Sequence, residues 1–225
     1  YASADQLAIA AFMANKAVEK SLHARLDDAR AMIRTRIADI FTAYRTTMTN
    51  TRGGNAAHLT IASNLSLLPL LALGLLRNRS IRIGTQIPSD VRAYHQTLLT
   101  TLPVQRLIPF LLPVFYSLHN MPPDAGTIDM STQCLIMPPR LNLSSERFER
   151  HGLYLIEDGM SVFLWLGRAA VPALTMDVFG APDYASLQSG PIVLPELENS
   201  MSQRLRAILD RIVTLRRGPY LSLLY

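Results

Sequence analysis

The chain has 225 residues, 49% of them hydrophobic and 17% charged, which is apolar enough to bury a core and excludes a disordered polymer. Its net charge of +5 arises in the first part, because residues 1–139 hold 13 Lys and Arg against 8 Asp and Glu, while residues 140–225 hold 9 of each. The basic residues are scattered, with no dense run interleaved with stacking aromatics, which argues against nucleic acid as a partner.

The opening stretch reads as helix, since no Gly or Pro precedes Gly53. Its apolar stripe is Leu7, Ala11, Ala14, Val18, Leu22, Leu26, Ala29, Ile33, Ile37, Ile40 and Tyr44, at a mean spacing of about 3.7 that keeps one face of a nearly straight helix apolar. A break near residues 21–23 would divide it in two. Phe12, Met13, Met32 and Phe41 widen the apolar face beyond the narrow seam of a coiled-coil dimer. Residues 49–55, TNTRGGN, read as a loop.

Residues 59–76 carry no charge and approach the length of a bilayer span, but Thr60, Ser63, Asn64 and Ser66 confine the apolar part to residues 65–76. That length fits a short buried helix better than a membrane crossing. Pro88 suits the first turn of the next helix, running to about Thr100 with Val91, Tyr94 and Leu98 on one face. Pro103 opens a last helix expected to reach His119, kinked by Pro109 and Pro113.

Residues 120–127, with Pro122, Pro123 and Gly126, read as the boundary between this helical half and a small α+β half. Residues 134–137 are expected as a first short strand. Residues 153–156 and 162–166 are β-prone runs joined through Asp158-Gly159, a strong hairpin signal. A short helix over 172–179 follows, then a loop at 189–191. The final helix is expected over 195–217, with Leu197, Met201, Leu205, Ile208, Ile212 and Leu215 on one face and Arg204, Arg206 and Arg211 on the other. Gly218-Pro219 would stop it, and residues 220–225 read as one more strand.

No residue pattern carries catalysis. The single Cys134 excludes an intrachain disulfide framework, points to a cytosolic setting and has no base near it in sequence. His23, His58, His95, His119 and His151 are far apart, with no HExxH, CxxC or EF-hand loop, so no metal ligand is assigned. Gly53-Gly54 lacks the strand and the Lys-Ser/Thr of a phosphate cradle. Glu157 and Asp158 are adjacent, so in a strand they would face opposite ways and could not share a substrate. Trp165, flanked by Leu164 and Leu166, reads as core rather than as a binding surface. Asn64, Asn78 and Asn142 head N-x-Ser triplets short enough to arise by chance.

Several blocks in order carry a resemblance: ADQLAIAAFMANKAVEKSLHARLDDAR, SLLPLLALGLLRNR, SDVRAYHQTLLTTLP, LNLSSERFERHGLYLIEDGMSVFLWLGR, VFGAPDY, LPELENSMSQRLRAILD and PYLSLLY. Together they resemble the cargo-selecting subunit of the COPII inner vesicle coat, in the Sec23/Sec24-type family. The resemblance implies an all-helical domain over 1–125 followed by a gelsolin-like α+β domain over 126–225, the latter truncated at its C-terminal end. Tyr1 in place of a starting Met suits a C-terminal piece of a longer protein.

It implies a non-enzymatic interaction segment in transport from endoplasmic reticulum to Golgi, with no cofactor here and a structural zinc in the part upstream. The implied partners are the smaller inner-coat subunit, met mainly through upstream domains, cargo membrane proteins and, peripherally, the membrane surface. No cargo-binding residue is carried over. The helical domain is expected to serve as a rigid platform, and Arg25, Arg34, Arg36 and Arg52 are candidates for weak attraction to anionic lipid. The gelsolin-like fold raises one alternative, a calcium-regulated actin binder, for which Glu157 and Asp158 are the only acids near the hairpin.

Overall fold

The computed structural model describes residues 3–52, 61–84, 86–216 and 222–224, with the side chains of 49–52, 147, 216 and 222–224 left aside. Two compact units divide the chain, Tyr1–Leu112 and Pro113–Tyr225. Among the described residues, no helix is long and apolar enough to cross a membrane.

The first unit is helical: α1 (Gln6–His23), α2 (Leu26–Arg52), α3 (Leu68–Arg77), α4 (Ser89–Thr101) and α5 (Val104–Leu111). The Asp5 carboxylate caps α1, its Oδ1 accepting from the Leu7 and Ala8 amides at 2.8 and 3.3 Å. The buried side of α1 is Ala10, Met13, Ala14, Ala17 and Val18. These mostly small residues let α1 touch each of α2, α3, α4 and α5, so it is the central helix of the unit. The expected stripe through Leu7, Ala11 and Leu22 is therefore displaced, and Leu22 is exposed. The expected break does occur, because Ala24 is extended and ends α1, and the apolar pattern restarts on α2 at Ala29 and Ile33. Arg30 ties α2 to the α3 end, its guanidinium donating to the carbonyls of Leu76 at 2.5 Å and Ile81 at 3.3 Å.

Three further expectations change here. The loop expected from residue 49 instead begins no earlier than Arg52, the last residue of α2, and Gly53-Gly54 and His58 lie outside the described residues. Helix α3 buries Leu68, Leu71, Ala72 and Leu75 but exposes Leu70 and Leu73, so it is buried on one face only. The buried face of α4 is His95 and Leu99 rather than Val91, Tyr94 and Leu98, because the His95 ring stacks on Phe110 of α5 at 5.3 Å.

Helix α5 stops at Leu111 instead of running to His119. Leu112, before Pro113, is extended, as a residue preceding proline prefers, and the chain enters a strand at once. That strand moves the division of the chain from the expected residues 125 and 126 to Leu112 and Pro113. Residues 120–127 are correspondingly no linker. The Arg204 guanidinium donates to the carbonyls of Ala125 (2.6 Å) and Pro122. Gly126, at φ 83°, passes so close to Arg204 that a Cβ would stand 2.7 Å from the arginine Cβ.

The second unit holds β1 (Val114–Ser117), β2 (Leu153–Glu157), β3 (Ser161–Leu166), α6 (Pro172–Phe179), α7 (Ser200–Arg216) and β4 (Ser222–Leu224). The sheet order is β1-β2-β3-β4, antiparallel except for the parallel β3–β4 pair. Residues 134–137 do not form the first strand; Leu135 makes only an isolated bridge to Ile128.

The hairpin is as expected. Leu153 faces Leu166 and Glu157 faces Val162, and the Asp158 carboxylate accepts from the Met160 and Ser161 amides at 2.9 and 2.8 Å. Helix α6 also matches its expected bounds, opened by Pro172 and ended by Gly180 at φ 66°. Helix α7 starts five residues later than expected. Asn199 caps it, accepting from the Ser202 amide at 2.8 Å and donating to the Asp177 carbonyl at 2.9 Å. Leu205, Ile208 and Ile212 are buried, whereas Leu215 is exposed. Gly218-Pro219 lies outside the described residues.

Strand alternation gives the sheet two unlike faces. Tyr116, Leu153, Leu155, Val162, Leu164 and Leu166 form an inner face that shares one core with Val178, Phe179, Leu205, Ile208 and Ile212. The outer face carries Phe115, Tyr154 and Trp165, with Phe148 laid across them.

Candidate functional site

The outer face ends in a cluster of three titratable side chains. Phe115, Tyr154 and Trp165 lie on adjacent strands, because β1–β2 and β2–β3 pairing places Ser117 beside Tyr154 and Tyr154 beside Trp165. Phe148 stacks on Phe115 at 4.8 Å and meets Trp165 edge-on at 4.8 Å. Trp165 is thus 37% exposed on the outer face and not in the core. The sequence signal misled because its neighbours Leu164 and Leu166, on the alternate face, are the core residues.

Just past β1, the His119 ring meets Tyr154 edge-on at 5.0 Å, with only 8% of its side chain exposed. Just before β2, residues 149–152 form a tight turn in which the Gly152 amide donates to the Glu149 carbonyl at 2.9 Å. The turn is held on three further sides. The Glu149 amide donates to the Tyr154 hydroxyl at 2.9 Å, Ala169 N–H to the Arg150 carbonyl at 2.8 Å, and Gly167 N–H to the Gly152 carbonyl at 2.8 Å. Two glycines make this packing possible: a Cβ on Gly152 would meet the Tyr154 ring at 2.5 Å, and one on Gly167 would meet the Arg150 carbonyl oxygen at 2.1 Å.

The turn therefore places the Glu149 and His151 side chains beside His119. His119 Nε2 lies 2.9 Å, and His151 Nε2 3.2 Å, from the same carboxylate oxygen, Glu149 Oε2. One ligating atom from each residue falls within 4.8 Å of the other two. His119 Nδ1 is 3.2 Å from both the carbonyl and the amide of Leu153 and 3.1 Å from Ser117 Oγ. The hydrogen bond from His119, and then the nearby charge of His119 and His151, hold the Glu149 carboxyl below the usual carboxylate range.

The other residues weighed from sequence do not converge. Glu157 is buried on the inner face beside Val162, and Asp158 is engaged by its own turn. They offer no shared calcium site, and no third acid joins them among the described residues. Cys134 is exposed. His95 is buried against Phe110, and His23 ends α1. Arg34 and Arg36 on α2 point about 200° apart on an ideal helix, and Arg36 lines a groove with Lys20, Asp28 and Asp39. They cannot share one flat face, while the Arg52 side chain lies outside what is described.

A helical unit followed in the chain by a gelsolin-like unit defines the class of protein. Residues 5–109 match the Sec23/Sec24 helical domain, and residues 135–209 match the gelsolin repeat. The chain carries the helical domain of the Sec23/Sec24 family followed by a gelsolin repeat. It is 46% identical over 214 residues to the protein transport protein SEC24 of Coccidioides immitis, covering 94% of this chain and 22% of that protein. Identity to the Chaetomium globosum SEC24 is 46% over 208 residues, with 92% and 22% covered. The crystal structure of the human COPII-coat protein Sec24c matches with a TM-score of 0.84 at 25% identity, over 98% of this chain and 27% of that one. The chain thus spans about a fifth of the curated relatives it matches.

Proposed function

We propose that this chain is a structural and interaction segment of a COPII cargo-adaptor subunit, working in vesicle transport from endoplasmic reticulum to Golgi. The observation that carries the reading is the match to proteins named SEC24 at 44–46% identity across both units in one stretch. Its role is non-enzymatic: it supplies a packed helical module and a gelsolin-like module to a coat rather than a catalytic cleft. In the parent protein it works on the cytoplasmic side of the membrane, beside the smaller inner-coat subunit and cargo membrane proteins.

The test is affinity purification of the tagged parent protein, followed by mass spectrometry. Recovery of the smaller inner-coat subunit in near-equal amount is the expected result. Recovery of actin without coat subunits would overturn the reading and return the gelsolin-like module to the actin-binding class.

A further inference from the structure

We propose that His119, Glu149 and His151 form a binding site for a divalent transition metal ion, zinc being the best fit, on the second unit. This goes beyond the coat assignment and does not rest on it. Two imidazole nitrogens and one carboxylate oxygen are a donor set that zinc takes in open, four-coordinate sites, with water in the remaining position. Ligand atoms around a tetrahedral ion with bonds of about 2.0–2.1 Å stand a little over 3 Å apart. The three donor atoms lie within 4.8 Å of one another, with Glu149 Oε2 2.9 and 3.2 Å from the two Nε2 atoms, so an ion entering between them has to spread the shortest contact by a few tenths of an ångström.

Three further features suit an ion at this place. Both imidazoles meet the same carboxylate oxygen, so two ring nitrogens and one oxygen already stand side by side. His119 has its second ring nitrogen 3.2 Å from the Leu153 carbonyl, the backbone partner that orients a metal-ligating histidine. Nδ1 also accepts from the Leu153 amide at 3.2 Å; with Nε2 on the ion, the ring proton would stand on Nδ1 and be donated to the Leu153 carbonyl, and the amide contact would be given up.

The support beneath is rigid as well. His119 is walled by Tyr154, and the Glu149–Gly152 turn is pinned by the hydrogen bonds at Tyr154, Gly167 and Ala169. The Glu149 and His151 side chains are 47% and 60% exposed, which leaves the ion a path from solvent. Asn120 Nδ2, 3.1 Å from His119 Nε2, is a hydrogen-bond neighbour of that nitrogen which an ion would displace.

The experiment is a calorimetric titration of zinc into the untagged 225-residue chain, carrying Cys134→Ser to remove the exposed thiol as a competing ligand. Saturable one-to-one binding is expected, weakened by roughly tenfold or more in His151→Ala and in Glu149→Gln, since even losing a supporting partner costs a metal site about that much. His151 is exposed, so its removal leaves the fold intact, which circular dichroism checks; Glu149→Gln preserves shape while removing the charge. Absence of saturable binding overturns the site. So does binding that both variants leave unchanged.

Discussion

The two faces of the sheet in the second unit are built from opposite materials. The inner face is mainly aliphatic and closed, five aliphatic strand residues and Tyr116 meeting Val178, Phe179 and the α7 residues Leu205, Ile208 and Ile212. The outer face is aromatic and partly open, with Trp165 at 37% exposure and the His119, Glu149 and His151 cluster at its end. Aliphatic packing is shape-filling and indifferent to direction. The aromatic face is held by ring geometry and by hydrogen bonds through Tyr154, so it positions polar groups rather than merely excluding water. The difference teaches that stability and site geometry are carried by opposite sides of the same three strands.

The largest test attacks the closed face. Ile208→Ala should cost about 2–5 kcal/mol, read as a lower urea midpoint. Trp165 is the chain's single tryptophan, so its emission should be unchanged in the folded variant if the faces are independent. Gly167→Ala strikes the support of the outer cluster. Its Cβ would fall 2.1 Å from a backbone oxygen that cannot swing aside, and the expected loss is up to about 3 kcal/mol.

Trp165→Ala should be milder, about 1–2 kcal/mol, because the ring is only partly buried and loses mainly its contacts with Phe148 and Tyr154. A loss as large as that of Ile208→Ala would erase the contrast between the faces. Asn199→Ala removes the α7 cap and should cost about 1 kcal/mol in thermal or urea unfolding.

The smallest effect lies away from both faces. Hydrogen bonds from the Ser186 hydroxyl, and then from the Ser186 amide, hold the Asp183 carboxyl below the usual aspartate range. A depressed folded value means that its stabilisation is complete above the ordinary aspartate pKa. It is lost as pH falls through the lower folded one. Asp183→Asn should therefore reduce stability slightly at neutral pH and flatten its acid dependence, measured as melting temperature against pH.

What was legible in the sequence was local. Asp158-Gly159 announced the hairpin, Pro172 and Gly180 bracketed α6, and the change from helical to mixed pattern foretold two unlike parts. Features set by contacts distant in sequence were not legible. Val114–Ser117 reads equally well as helix until β2 is available to pair with it, and this moved the division of the chain. The α4 face shifted because Phe110 attracts the ring of His95. His119 and Glu149 stand 30 residues apart, and only β1–β2 pairing brings them together. Glu149 and His151 two positions apart were a weak hint, since that spacing suits a turn as readily as a ligand pair.

The parallel partnership of β3 and β4 has a consequence for the order of assembly. The β2–β3 hairpin closes over a short turn and needs no other element. A parallel partner can join only through a long crossover, here the stretch containing α6 and α7. Closure of so large a loop is entropically slow, so β4 should dock last, after the hairpin and α7 have already met. On a ribosome the same order would hold the open edge of β3 unpaired until synthesis had passed residue 224, leaving that edge as the place where a nascent chain is most exposed to mispairing.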